Sequence, residues 1–104
     1  MESASTVNPR FHKDAFFRAN PTEREVLCRA LAAEITAAVR STGDFWGVTR
    51  GAVESLRALG HDLWSFDESD DFHLWCPHYG RPTGPGIVLT FRLPDLVEVE
   101  WSRE

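Results

Sequence analysis

The densest run of side chains able to hold a metal or move a proton is His73, Cys76 and His78, within six residues, with His61 upstream. Thiolate and imidazole are donors that zinc accepts. The same imidazoles, paired with a carboxylate, are the groups that ribonuclease-like general acid–base chemistry uses. The spacing argues against both. Residues three apart on a strand face opposite sides, so His73 and Cys76 diverge unless Pro77 redirects the chain. A second Cys/His pair at finger-like spacing is missing, as are a nucleophile elbow and a His-Glu-x-x-His motif. No cofactor is expected, and catalysis is the subordinate reading. That reading is a small enzyme or a metal- or ligand-binding domain using His61, His73, Cys76 and His78.

The second chemical feature is acidic. Asp67-Glu68-Ser69-Asp70-Asp71 places four negative charges in five residues. It lacks the glycine and the alternating oxygen ligands of an EF-hand loop. It reads instead as a solvated hairpin tip, suited to steering a basic protein. The loop 77–86 holds three prolines and three glycines but no Gly-Lys-Ser/Thr, and no helix follows it to receive a phosphate. Tyr79 and Arg81 within it have the chemistry of a protein-recognition rim. The expected partner-binding set is therefore Asp67, Glu68, Asp70 and Asp71 for steering, with Trp75, Tyr79 and Arg81 for contact.

The elements that must position these groups are helices first and strands last. Asn8-Pro9 offers a cap and a first-turn proline for a short helix over about 9–18 carrying Phe11, Phe16 and Phe17. Asn20, Pro21 and Glu23 form a capping-box start. Leu27, Leu31, Ile35 and Val39 then recur every four residues up to Gly43, which predicts a helix over 21–42. The next helix runs to Leu59, with Val53, Leu56 and Leu59 inward and Gly60 as its stop. Asp44 or Thr49 caps it, and Gly47 and Gly51 share a face expected to pack closely on the preceding helix.

Beyond Gly60 the period falls to two. His61–Phe66 and Phe72–Cys76 read as one hairpin, Gly86–Leu93 and Leu96–Ser102 as another. For the second hairpin, a three-residue loop Pro94-Asp95-Leu96 pairs Leu93 with Val97, Phe91 with Val99 and Leu89 with Trp101. Arg92 then faces Glu98 on the other side. In the first hairpin, pairing Phe66 with Phe72 puts Trp64, Phe66, Phe72 and Leu74 on one face. Leu63 and Trp75 fall on the other with Ser65 and His73. The sheet then has large apolar groups on both sides of one corner, and the Phe11/Phe16/Phe17 segment is expected to cover the second side. Uncovered, Leu63, Trp75 and Tyr79 would form an aromatic platform beside the acidic loop.

Bulk properties set the frame. With 104 residues, 42% of them apolar, and seven Phe, four Trp and one Tyr, the chain has enough apolar surface for one core. Residues 1–8 read as a flexible terminus and 9–104 as a single α+β domain. Two or three helices pack on one face of a four-stranded antiparallel meander. The net charge of −5 disfavours phosphate backbones, so no nucleic acid is expected. No signal or membrane-span pattern is visible, and two cysteines make no disulfide framework. A cytoplasmic monomer or homodimer follows from these features. The functional expectation is a small acidic protein-binding module, of which an immunity or antitoxin-type inhibitor of a basic enzyme is one concrete form.

Overall fold

The computed structural model describes residues 7–77 and 85–103. The chain forms a 3-10 turn Pro9–Phe11 and three helices, α1 (Lys13–Arg18), α2 (Pro21–Thr42) and α3 (Phe45–Ala58). Four strands follow: β1 (Trp64–Glu68), β2 (Phe72–Cys76), β3 (Pro85–Arg92) and β4 (Leu96–Arg103). The strands pair antiparallel in the order β1-β2-β3-β4, so helices followed by a meander is the architecture.

Each helix start has a local cause. The continuous helix expected over 9–18 is interrupted at His12, whose extended backbone (φ −69, ψ 161) makes it the N-cap of α1. Its Nδ1 accepts from the Ala15 amide at 3.3 Å. The α2 start is the expected capping box: Asn20 accepts from the Glu23 amide at 2.8 Å and the Glu23 carboxylate from the Asn20 amide at 3.1 Å. Gly43 ends α2 in the left-handed region, φ 72, which a side chain would resist. Asp44, rather than Thr49, caps α3 by accepting from the Gly47 amide at 3.1 Å. This bond corrects the expectation for Gly47. A Cβ there would collide with the Asp44 carboxylate, so cap geometry, and not helix–helix packing, needs the glycine.

The β3–β4 register differs from expectation by two residues. Phe91 pairs with Val97, Leu89 with Val99 and Ile87 with Trp101, while Arg92 faces Leu96 and Thr90 faces Glu98. The loop does have three residues, but they are Leu93-Pro94-Asp95. A slip of two leaves every side chain on its expected face, so Ile87, Leu89 and Phe91 still share a side with Val97, Val99 and Trp101. The first hairpin is also corrected. Trp64 pairs with Cys76, Ser65 with Trp75, Asp67 with Leu74 and Glu68 with His73, with a bulge at Phe66 in place of the Phe66–Phe72 pair. The strand starts at Trp64 rather than His61, because pairing with β2 begins at Trp64–Cys76; Leu63, just before it, is buried at 1% exposure.

All three helices lie on one face of the sheet. The buried stripe Cys28, Leu31, Ile35 and Val39 of α2 runs along β4, while Val48, Ala52, Val53 and Leu56 of α3 join the same core. The N-terminal aromatics do not cover the second side of the sheet. Phe16 lies parallel to Trp101, centroids 6.3 Å apart, and edge-on to His61 at 5.2 Å. Trp101 is the cross-strand partner of Ile87 and so belongs to the helix-covered face. The segment therefore closes one end of the core between the start of α2 and the end of α3, where its phenyl rings find apolar surface already present.

Candidate functional site

α2 descends along β4, and the Arg40 Nε lies 3.4 Å from Asp95 in the β3–β4 turn. α3 therefore starts, and both hairpins turn, at the same end of the molecule. The β1–β2 turn is closed by Ser69 N–H donating to the Phe72 carbonyl at 2.8 Å. The Asp71 carbonyl accepts from Leu93 N–H at 3.0 Å, which braces one turn against the other. Arg92 stands over the Phe72 ring at 4.8 Å. These contacts hold Asp67, Asp70 and Asp71 exposed at an end that also carries Asp44 and Asp95.

β1 is the outer strand of this hairpin and is exposed at all five positions. Trp64 and Phe66 are 40% and 52% exposed. Sequence reasoning placed both on the sheet face and did not count them as contact residues. For Phe66 the bulge was the missing information, since it interrupts the alternating pattern; Trp64 lies before the bulge, in regular register opposite Cys76.

The remaining expected contacts are divided by the fold. Glu68 is paired with His73 and so turns toward the helix face, where its carboxylate accepts from the Ser65 hydroxyl at 2.7 Å. Trp75 is half-buried on the same face, 5.4 Å beneath the Arg57 guanidinium. Leu63 belongs to the core, so the Leu63–Trp75 platform does not form. Tyr79, Arg81 and His78 lie outside the described residues. The end of β2 at Cys76 and the start of β3 at Pro85 stand a strand length from the acidic tip, which is roughly 17 Å at the usual rise per residue.

A cleft of about 260 Å³ opens between α3 and the β1–β2 half of the sheet. Trp46 of α3 stacks on His73 with centroids 4.1 Å apart and planes 30° from parallel. Arg57 donates from Nε and Nη2 to the Leu63 carbonyl at 2.9 and 2.7 Å and thereby ties the end of α3 to the start of β1. Trp46 and Arg57 were not singled out from the sequence, because helix periodicity marks burial and not what crosses a cleft.

Among the described residues the histidines and cysteines do not converge. His61 is buried, and its Nε2–H donates to the Phe11 carbonyl at 2.7 Å; burial lowers its pKa below the ordinary 6.5. His73 faces α3, while Cys76, three residues on, takes the other side of the strand. Burial pushes the Cys28 thiol up to about 11 and raises Cys76 as well. Among the described residues no three His, Cys, Asp or Glu side chains gather as a metal site would require.

No family model, curated protein or solved structure matches this chain. Its chemistry is therefore read from the residues alone. None of the described helices is long and apolar enough to cross a membrane.

Proposed function

We propose that this protein is a binding module that docks a basic protein partner through its β1–β2 hairpin, in the manner of an immunity or antitoxin-type inhibitor. One observation carries the reading: an edge strand exposed at every position presents Trp64 and Phe66 directly beside Asp67, Asp70 and Asp71. Aromatic anchors ringed by charge are the composition of an interface hot spot, and carboxylates at a projecting tip accelerate encounter with a cationic surface. The Phe66 bulge favours contact through side chains, because it disrupts the backbone ladder that an added strand would need.

The test compares capture of partners from the native host's lysate by four tagged proteins. They are the wild type, Trp64→Ser/Phe66→Ser, Asp67→Asn/Asp70→Asn/Asp71→Asn, and Phe17→Ser/Val26→Ser. The last pair is exposed near the opposite end of the molecule. The expected result is a stoichiometric basic partner held by the wild type and the Phe17/Val26 variant, and lost by the aromatic variant. With the triple Asn variant, association should be slower and less dependent on salt. A partner retained equally by both hairpin variants, or no such partner at all, overturns the proposal.

A further inference from the structure

α3 packs mainly on α2 and stands off the β1–β2 half of the sheet that it faces. The gap between them is the cleft described above. Its volume of about 260 Å³ lies just under the range of roughly 300–1,000 Å³ typical of drug-sized ligand sites, so its occupant is small. Its walls are aromatic: Trp46 stacked on His73 from one side and Trp75 from the sheet. Val53, 2% exposed, forms an apolar floor.

The charges in this cleft are of both signs and are not spent on one another. Arg50 and Glu54 stand one turn apart on α3, at the spacing that ordinarily forms a helical ion pair. Both line the cleft, yet neither charged group has an ion-pair or hydrogen-bond partner among the described residues. Glu68, reaching in from β1, accepts among the described residues only from Ser65. Arg57 is committed to the Leu63 carbonyl and to the Trp64 and Trp75 rings. The groups left over are one guanidinium and two carboxylates around aromatic walls.

We propose that this cleft binds a small zwitterionic aromatic molecule, of the class of a free aromatic α-amino acid. Its ring packs against Trp46 and Trp75, its carboxylate is held by Arg50, and its ammonium lies between Glu54 and Glu68. A guanidinium holds a carboxylate through paired N–H donors, and an aromatic wall adds both apolar burial and ring stacking. A purely anionic ligand would leave two carboxylates facing it, and a purely cationic one would face Arg50. Glu68 is the one lining residue that β1 contributes, and a small-molecule test of the cleft does not depend on any protein partner.

Isothermal titration calorimetry of the intact protein with L-phenylalanine is the direct measurement, with L-leucine, 3-phenylpropionate and phenethylamine as comparison ligands. The expected result is saturable one-to-one binding of L-phenylalanine. The three analogues, each lacking the ring or one charge, should bind at least about tenfold more weakly. Arg50→Gln should weaken L-phenylalanine and 3-phenylpropionate but not phenethylamine, and Glu54→Gln should do the reverse for the two single-charge analogues. Both side chains are exposed, and circular dichroism checks that the variants fold as the wild type does. Absence of saturable heat with L-phenylalanine, equal binding of L-leucine, or unchanged affinity in Arg50→Gln overturns the proposal.

Discussion

His61 and Phe11, fifty residues apart in the chain, are joined by a 2.7 Å hydrogen bond that fastens the 3-10 turn to the end of α3. Lys13 N–H donating to the Leu59 carbonyl at 3.0 Å adds a second tie beside it. Burial of the His61 imidazole makes this attachment of the N-terminal segment sensitive to pH. Burial disfavours the imidazolium, and the nearby Lys13 and His12 disfavour it further, while the Phe11 carbonyl opposes them without winning.

A folded-state value below 6.5 means that the unfolded chain takes up the proton first. The stability that neutral His61 provides is complete above the unfolded value and is lost as pH falls below it. Thermal melts at pH 7.5 and 5.5 should therefore show a lower midpoint at the acid end. His61→Asn should be less stable at pH 7.5 and should show a smaller drop on acidification. Parallel pH profiles for the two proteins would remove His61 from the explanation.

Gly47 and Asp44 make a second prediction because two rules oppose each other. Gly→Ala within a helix normally stabilises by roughly 0.5–1 kcal/mol. Here the new methyl meets the capping carboxylate, so Gly47→Ala should instead destabilise by about 1 kcal/mol, the usual value of such a cap. In an Asp44→Ala background the clash is gone and the same change should become neutral or stabilising. Urea melts of the two single variants and the double variant measure this coupling, and additive effects would contradict it.

Phe16 joins α1 to the rest of the core through Phe11, His61 and Trp101 and is fully buried. Phe16→Ala should cost about 3–5 kcal/mol, as large aromatic truncations in a core do. Phe17, its neighbour, meets Trp101 in a T-shaped arrangement with centroids 5.1 Å apart and is 46% exposed. Phe17→Ala should cost less than about 1.5 kcal/mol, because nearly half of its surface stays in water in the folded protein. Equal losses in denaturant melts would mean that α1 is seated differently.

Both thiols should be slow nucleophiles, since the thiolate reacts and burial raises both pKa values, Cys28 to about 11. With 5,5′-dithiobis(2-nitrobenzoate) at pH 8, native protein should react over a much longer time than protein in guanidinium, where both cysteines should react at once. A single fast-reacting thiol in the native state would show that one cysteine is accessible.

Much of this architecture is legible in the residues. Asn20, Pro21, Glu23 and Gly43 mark both ends of α2, because capping and left-handed termination are local interactions that need no partner element. Leu31, Ile35 and Val39 mark its buried face for a similar reason: a period of 3.6 against the core is written into the spacing. The faces of β3 and β4 also follow from alternation alone. Candidate functional residues were harder to find. Asp67, Asp70 and Asp71 stand out by charge, but Phe66 becomes a contact candidate only through a bulge, Trp64 only through its exposure on the outer strand, and Trp46, Arg50 and Arg57 only through the gap beside α3.

The sequence by itself determined which segments are helices and strands, where α2 begins and ends, and which side of β3 and β4 meets the core. Those properties depend on backbone preferences and on periodicity within one element. Tertiary structure alone decided the β3–β4 pairing, because alternation distinguishes odd slips from even ones but cannot separate two registers that differ by two. It also decided that Phe11 and Phe16 close the end of the core rather than the far face of the sheet. Apolar rings need a surface to cover, and only the assembled helices and Trp101 reveal where that surface lies.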